Sequence, residues 1–497
     1  MEQWIQQLGE HLTLARGVFL LLAIGLALSF EFVNGFHDTA NAVATVIYTH
    51  SLKPITAVIW SGLWNLIGVL TSTGLVAFSV VALLPAELVL NVGSGAGFAM
   101  VFALLLSAIC WNLGTWYLGL PASSSHTLIG SIMGVGLANS LLSAGAEFGE
   151  GVNWAKTQEV FISLFTSPFI GFVSAAALLL LAKRVLPQPV LYTEPEGEVP
   201  PPLWIRVLLI LTCTGVSFAH GSNDGQKGMG LMMLILVGVL PGLYALNLNL
   251  APVTLQQLAN RAEEIITNIS SQQLSELSVE RSDQELSRFL KTNEAATEDT
   301  LAAIISKHEE ITNVLKQAVT LQELPLAEKI HLRSNVYLVS GSLDKLERLH
   351  YLPDSVSASV KVYRHELNIL TQFITIWVKI TVAIALGIGT MVGWKRIVVT
   401  VGEKIGKDHL TYAQGASAEL VAMTTIFAAD QFGLPVSTTH VLASGVAGTM
   451  TANGSGIQAN TVRNILLAWV LTLPVCVLLG GTTFTAGLLL VRWLNIA

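Results

Sequence analysis

Charge is scarce in this sequence. Only 12% of its 497 residues are Asp, Glu, Lys or Arg, about half of the ~25% usual in soluble domains. A chain so poor in charge cannot cover a water-facing surface, and a membrane is the environment that suits it. Cysteine is scarcer still. Cys110, Cys213 and Cys476 lie singly in apolar sequence, which excludes a disulfide framework and a thiolate metal site. No basic patch or stripe is present, so nucleic acid is excluded as a partner. The net charge of −7 sits largely in one polar stretch and says little about partners.

Hydrophobic sequence is what the chain has in quantity. Apolar runs at 54–84, 97–117, 160–182, 371–394 and 465–490 approach or exceed the ~18 residues that read as a spanning helix. Glycine is plentiful, at 42 residues, as expected where helices approach closely in lipid. The first apolar run starts at Gly17 and is too long for a signal-peptide core, so it is expected to be a retained helix. A Pro-rich spacer at 185–202 should be stiff and extended. From 247 to 370 the composition turns polar, with apolar residues at helical spacing such as Leu301, Ile304, Ile311 and Leu315. That stretch reads as a soluble helical insert. The expected organisation is a membrane half at 1–184, the spacer, a second membrane half at 203–246 and 371–497, and the insert between its two parts.

Two motifs occur twice. Gly119-Leu120-Pro121-Ala122-Ser123-Ser124-Ser125-His126 returns as Gly433-Leu434-Pro435-Val436-Ser437-Thr438-Thr439-His440. Gly35-Phe36-His37-Asp38-Thr39-Ala40-Asn41 is answered by Gly221-Ser222-Asn223-Asp224-Gly225-Gln226-Lys227. Asp38 to His126 spans 88 residues and Asp224 to His440 spans 216; the difference of 128 is close to the 124 residues of the insert. Removing the insert gives both halves the same spacing, which marks a duplication.

The chemistry of each motif follows from its setting. Pro121 and Pro435 interrupt a helix, so the hydroxyl triplets Ser123, Ser124, Ser125 and Ser437, Thr438, Thr439 fall at a helix N-terminus. Free N–H groups and the macrodipole favour an anion there. The competing reading is hydroxyls bonded back to their own backbone. An Asp inside a membrane costs ~2.5–3.5 kcal/mol or more and persists where it faces a cavity, an ion or a partner. The glycines around Asp38 and Asp224 suit a helix that unwinds; the alternative is a packing motif with a satisfied Asp. His126 and His440 fit a ligand, a proton carrier or a packing residue. Glu31, two helical turns before Asp38, and Glu419 fit a proton carrier or a paired structural carboxyl.

These paired motifs, with 34–49 and 220–230, resemble the PiT family of inorganic phosphate transporters, and within it the bacterial low-affinity Pit-type symporters. The resemblance covers nearly the whole chain. It implies an all-α polytopic fold of two inverted repeats, with broken helices and re-entrant helical hairpins, about ten to twelve membrane segments and the soluble helical insert. It implies uptake of phosphate with a coupling cation across the bacterial inner membrane, phosphate travelling as a neutral complex with a divalent metal. No cofactor is implied, and homo-oligomerisation is left open. The residues carried over by motif are Ser123, Ser124, Ser125, Ser437, Thr438, Thr439, Asn41 and Asn223 toward phosphate, and Asp38 and Asp224 toward the phosphate and cation sites.

The sequence departs from the family's commonest Asp motif, Gly-Ala-Asn-Asp-Val-Ala-Asn-Ala. His37 stands for the first Asn in one copy and Lys227 for the last Asn in the other. Both replace a neutral oxygen ligand suited to sodium with a group that carries or accepts a proton, which favours H+ over Na+. Lys227 is alternatively a direct phosphate contact. A transporter of another oxyanion, or of a divalent metal alone, is a neighbouring alternative. A more distant rival is an intramembrane phosphatase with a His nucleophile, but no Arg stands beside either motif to clamp a phosphoryl group. Two orientation cues exist. The clusters Lys183-Arg184 and 395–407 should lie in the cytoplasm, and the family resemblance places the insert there.

Overall fold

The computed structural model describes residues 14–38, 40–84, 86–143, 148–150, 152–195, 197, 199–269, 277–292, 295–351 and 354–493. Nearly all of them are helical. Helices α1 (Leu14–Asp38), α2 (Ala40–Tyr48), α3 (Pro54–Thr71), α4 (Leu75–Val81), α5 (Ala86–Leu90), α6 (Gly95–Tyr117), α7 (Ser124–Leu142) and α8 (Trp154–Val185) precede the spacer. Then come α9 (Leu203–Val239) and α10 (Pro241–Tyr244). The polar stretch forms α11 (Pro252–Ile269), α12 (Val279–Lys291), α13 (Glu298–Gln317), α14 (Leu326–Arg348) and α15 (Asp354–Asn368). The chain ends with α16 (Ile376–Met391), α17 (Lys395–Val399), a π-helical turn Thr400–Lys404, α18 (Tyr412–Gln431), α19 (Thr438–Asn453) and α20 (Ala459–Trp493).

Among the described residues, six stretches are long and apolar enough to cross a membrane: Arg16–Tyr48, Pro54–Thr71, Gly95–Tyr117, Lys156–Val185, Leu203–Val239 and Ala459–Trp493. The pair Ile376–Met391 and Lys395–Lys404, bent by 56°, makes a seventh if counted as one. That is fewer than the ten to twelve expected. Part of the difference lies in α7, α18 and α19. Their Ser, Thr, Gln and Gly content keeps them from reading as apolar, although the bundle buries most of their residues.

The packing exchanges helices between the halves. Helix α1 lies on α16, and α9 on α3; α7 lies on α20, and α19 on α8. Glycine makes these approaches close. A Cβ on Gly35 would sit 2.4 Å from the Leu386 carbonyl oxygen, and one on Gly221 would sit 2.1 Å from that of Asn65. Each of these glycines precedes its Asp by three residues. The glycines of the second Asp motif therefore serve packing. Asp224 stays in unbroken helix within α9, against the expectation of an unwound segment. In the first motif α1 ends at Asp38 and helix resumes at Ala40; Thr39 lies outside the described residues.

Helices α11 to α15 have a core of their own, built on Leu258, Phe289, Ile304, Val339 and Tyr363. The Asn247 N–H donates to the Leu370 carbonyl at 2.8 Å, so the chain enters and leaves this bundle at one point. The spacer is not the extended strut expected. It turns at Pro189–Leu191, buries Leu191 and binds the His409 N–H through Glu194 Oε1 at 3.0 Å. The two orientation cues exclude one another. Helix α9 starts at the spacer that follows Lys183-Arg184 and ends toward the bundle, while α16 starts beside the bundle and ends at the bend before Lys395. The basic clusters and the bundle thus lie at opposite ends of single spans.

Candidate functional site

Both hydroxyl motifs are built the same way. Helices α6 and α18 end in a glycine with positive φ, +67° at Gly119 and +64° at Gly433, a conformation that costs glycine least. Leu120 N–H reaches back to Thr115 O at 2.9 Å and Gly119 N–H to Trp116 O at 2.9 Å; Leu434 to Ala429 O and Gly433 to Asp430 O repeat the pair at 2.9 and 3.0 Å. This is a Schellman turn at each copy. Proline follows, the chain reverses, and a new helix starts. Ser123 Oγ accepts the His126 N–H at 3.3 Å and Ser437 Oγ that of His440 at 3.1 Å. The first hydroxyl of each triplet is thereby an N-cap.

The later hydroxyls leave their own helices. Ser124 Oγ lies 3.0 Å from Asp38 Oδ2 and 3.2 Å from Asp224 Oδ2. Thr439 Oγ1 donates to Asp38 Oδ1 at 2.5 Å. Ser125 Oγ donates to the Val436 carbonyl at 2.7 Å, which ties one motif to the other. Thr438 is buried in the first turn of α19. The reading of hydroxyls bonded back to their own backbone fails for Ser124, Ser125 and Thr439.

Asp38 and Asp224 therefore face one another through Ser124, one from the end of α1 and the other from mid-α9. Lys227 Nζ lies 2.7 Å from Asp224 Oδ2 and is fully buried. His37 places Nδ1 3.2 Å from Asp38 Oδ1 and Nε2 3.1 Å from Thr115 Oγ1. His220 was not singled out from the sequence, yet its Nε2 stands 3.8 Å from Asp38 Oδ2 and 3.7 Å from Asp224 Oδ2. Asn65 Oδ1, 2.7 Å from His220 Nδ1, fixes that orientation. One atom each from Asp38, His220 and Asp224 lie within 4.8 Å of one another, close enough to share a cation. The signal for His220 was its place one helical turn before Asp224, on the same face.

The remaining expected residues are spread around this centre. Glu31 is buried and packs on Gly228, one residue from Lys227, with Asn34 Nδ2 3.5 Å from its Oε2. Glu419 takes hydroxyl bonds from Thr45 and Thr212 and stands apart from the Asp pair. Asn223 Nδ2 donates to the Leu434 carbonyl at 3.1 Å, at the second Schellman turn. The side chain of Asn41 lies outside the described residues. The His126 and His440 rings lie 4.5 Å apart, tilted by 38°, and Trp469 stacks on His440 at 4.0 Å while donating Nε1–H to Pro121 O at 2.9 Å. These imidazoles brace the two turns. Asp430, also missed, accepts from Ser222 at 2.7 Å and Gln226 at 2.5 Å and fastens α9 to α18.

The centre can do two things chemically. Its carboxylates attract a cation, and its hydroxyls and helix N-termini can turn to an anion. An anion alone would face two carboxylates in a dry setting, where like charges repel strongly.

The phosphate transporter family matches residues 34–480 of this chain. The chain is 41% identical over 496 residues to the low-affinity inorganic phosphate transporter PitA of Escherichia coli strain K12, covering 96% of this chain and 98% of that one. It is 26% identical over 468 residues to the probable low-affinity inorganic phosphate transporter of Bacillus subtilis strain 168, covering 94% and 96%. Among solved structures it is similar to the sodium-dependent phosphate transporter, with a TM-score of 0.50 and 18% identity over 94% of this chain and 98% of that one. At that identity the likeness is one of fold.

Proposed function

Because the chain belongs to the phosphate transporter family, we propose that it is a proton-driven symporter that imports inorganic phosphate as a neutral complex with a divalent metal. Family and relatives are transporters, not enzymes. The observation that carries the reading is the Ser124 hydroxyl held between Asp38 and Asp224. When the complex arrives, the carboxylates take its cation, helped by His220. Ser124 and Thr439 are released from the carboxylates and turn to phosphate oxygens, with the first N–H groups of α7 and α19. Neutral hydroxyls hold an anion without trapping it, which suits a site that must also let go.

Proton coupling follows from the residues at the two altered motif positions. Where a sodium ion needs neutral oxygens, this centre has the imidazole of His37 and the ammonium of Lys227, and Lys227 already fills the space beside Asp224. Glu31 and Glu419 are buried carboxyls and serve as proton carriers on either side of the centre. The exchanged packing of the two halves fits an inverted repeat, with alternating access around the shared centre. The protein resides in the bacterial inner membrane, with the α11–α15 bundle in the cytoplasm.

The deciding experiment is uptake of labelled phosphate into proteoliposomes under separate proton, sodium and magnesium gradients. Uptake should rise with an inward proton gradient and with magnesium, and ignore sodium. Strict sodium dependence would overturn the coupling. Phosphate uptake indifferent to magnesium and other divalent metals would overturn the metal complex. Protease digestion of intact spheroplasts tests the orientation: cleavage within 277–292 from outside would place the bundle on the periplasmic side.

A further inference from the structure

We propose that the cleft between the end of α6 and the α16–α17 bend binds the phosphodiester headgroup of an anionic phospholipid. The cleft measures about 670 Å³. Its walls include three cations, Lys395, Arg396 and Lys404, and three aromatic side chains, Trp116, Tyr117 and Trp394, with no acidic residue among them. The neighbouring acid, Glu403, is turned to the Tyr48 hydroxyl at 2.7 Å.

The walls are held in place before any ligand arrives. The Arg396 guanidinium lies 5.1 Å from the Trp116 ring and 4.9 Å from that of Tyr117. Its Nη1 donates to the Tyr117 carbonyl at 2.7 Å. Trp116 Nε1–H donates to Gly393 O at 2.8 Å across the cleft. Lys395 and Lys404 are exposed, so they supply the charge that a ligand would meet.

The position selects the ligand. The cleft lies where α6, an apolar span, ends, and a span ends at headgroup level. Aromatic rings with Lys and Arg at that level are the usual partners of lipid headgroups. Tyr117 and Leu118 are 66% and 69% exposed, an apolar flank suited to the glycerol and upper acyl chain. Free phosphate calls for donors on all sides, and this cleft offers cations on one side only. The bound headgroup would also touch the first hydroxyl motif, because Thr400 Oγ1 donates to the Gly119 carbonyl at 2.7 Å.

The test uses the purified full-length chain, delipidated in mild detergent, with phosphatidylglycerol or phosphatidylcholine titrated and bound lipid counted by native mass spectrometry. The variant Lys395→Gln/Lys404→Gln spares Arg396 and its wall contacts. Phosphatidylglycerol should bind the parent, phosphatidylcholine should not, and the variant should bind about 25-fold more weakly, on roughly five-fold per lysine. The charge-matched variant Lys53→Gln/Lys407→Gln, outside the cleft, should keep the parental affinity. Equal binding of both lipids, unchanged affinity in the cleft variant, or equal loss in both variants would overturn the site. Displacement of the lipid by millimolar inorganic phosphate would reassign the cleft to the free anion.

Discussion

Thr439 donates its hydroxyl to Asp38 at 2.5 Å across a separation of 401 residues. With Ser124, this bond makes the two hydroxyl motifs converge on one pair of carboxylates. If the same hydroxyls receive phosphate, Ser124→Ala and Thr439→Val should each raise the Michaelis constant for phosphate. The expected size is about two- to ten-fold, from ~0.5–1.5 kcal/mol per hydrogen bond. Uptake kinetics in proteoliposomes measure it. Unchanged constants in both variants would remove these hydroxyls from the phosphate site.

Lys227 and Asp224 should separate stability from transport. Asp224→Asn leaves a fully buried ammonium without its carboxylate, at a cost of ~3–5 kcal/mol. Asp224→Asn/Lys227→Met removes both charges and should recover most of that stability while remaining inactive. Thermal unfolding in detergent, read beside uptake, gives both quantities. An Asp224→Asn protein as stable as the parent would mean that Lys227 does not depend on this partner.

The helix approaches next to the Asp motifs should resist even one methyl group. Gly35→Ala and Gly221→Ala would each press a Cβ into a backbone carbonyl and cost about 1–3 kcal/mol by overpacking. Gly25→Ala is the matched comparison, since nothing lies within 4 Å of its Cβ position, and it should be neutral or stabilising. Equal melting temperatures for all three would show that these helices can part without penalty.

The α11–α15 bundle should weaken in mild acid. His308 is buried against Tyr363, ring centroids 4.9 Å apart, and burial pushes it from its ordinary 6.5 down to about 4. Its neutral form is the one that fits. Stability from this group is complete above pH 6.5 and falls as the pH drops toward 4, because the unfolded chain takes a proton that the folded bundle refuses. At pH 5 the loss is about 2 kcal/mol. Limited proteolysis of the full-length protein within 295–351 should accelerate between pH 7 and 5, and His308→Phe should flatten that response. Acceleration of the same size in the variant would assign the effect to another group.

The sequence spoke most clearly where two copies could be compared. The hydroxyl triplets at helix starts, the Asp pair and the polar helical stretch were all legible, since each rests on local pattern or repetition. His220 and Asp430 were not, because each is a single residue whose partners come from other helices. Glycine was ambiguous for a physical reason: the residue that permits unwinding also permits close packing, and only the position of Asn65 opposite Gly221 decides between them. Hydropathy alone counts fewer membrane segments than the resemblance implies, because burial inside a bundle lets α7 and α19 be polar without facing water.

The exchanged packing of α1 on α16 and α9 on α3, and of α7 on α20 and α19 on α8, separates inheritance from mechanics. The paired motifs divide the chain along its length, one copy of each on either side of the spacer. The tightly fitted surfaces run across that division, each joining one helix from either copy. Interlocked backbones cannot slide apart without repacking, so any rigid-body motion must carry pieces of both copies together. The boundary between the two motif-bearing stretches is then not a seam along which the machine can open.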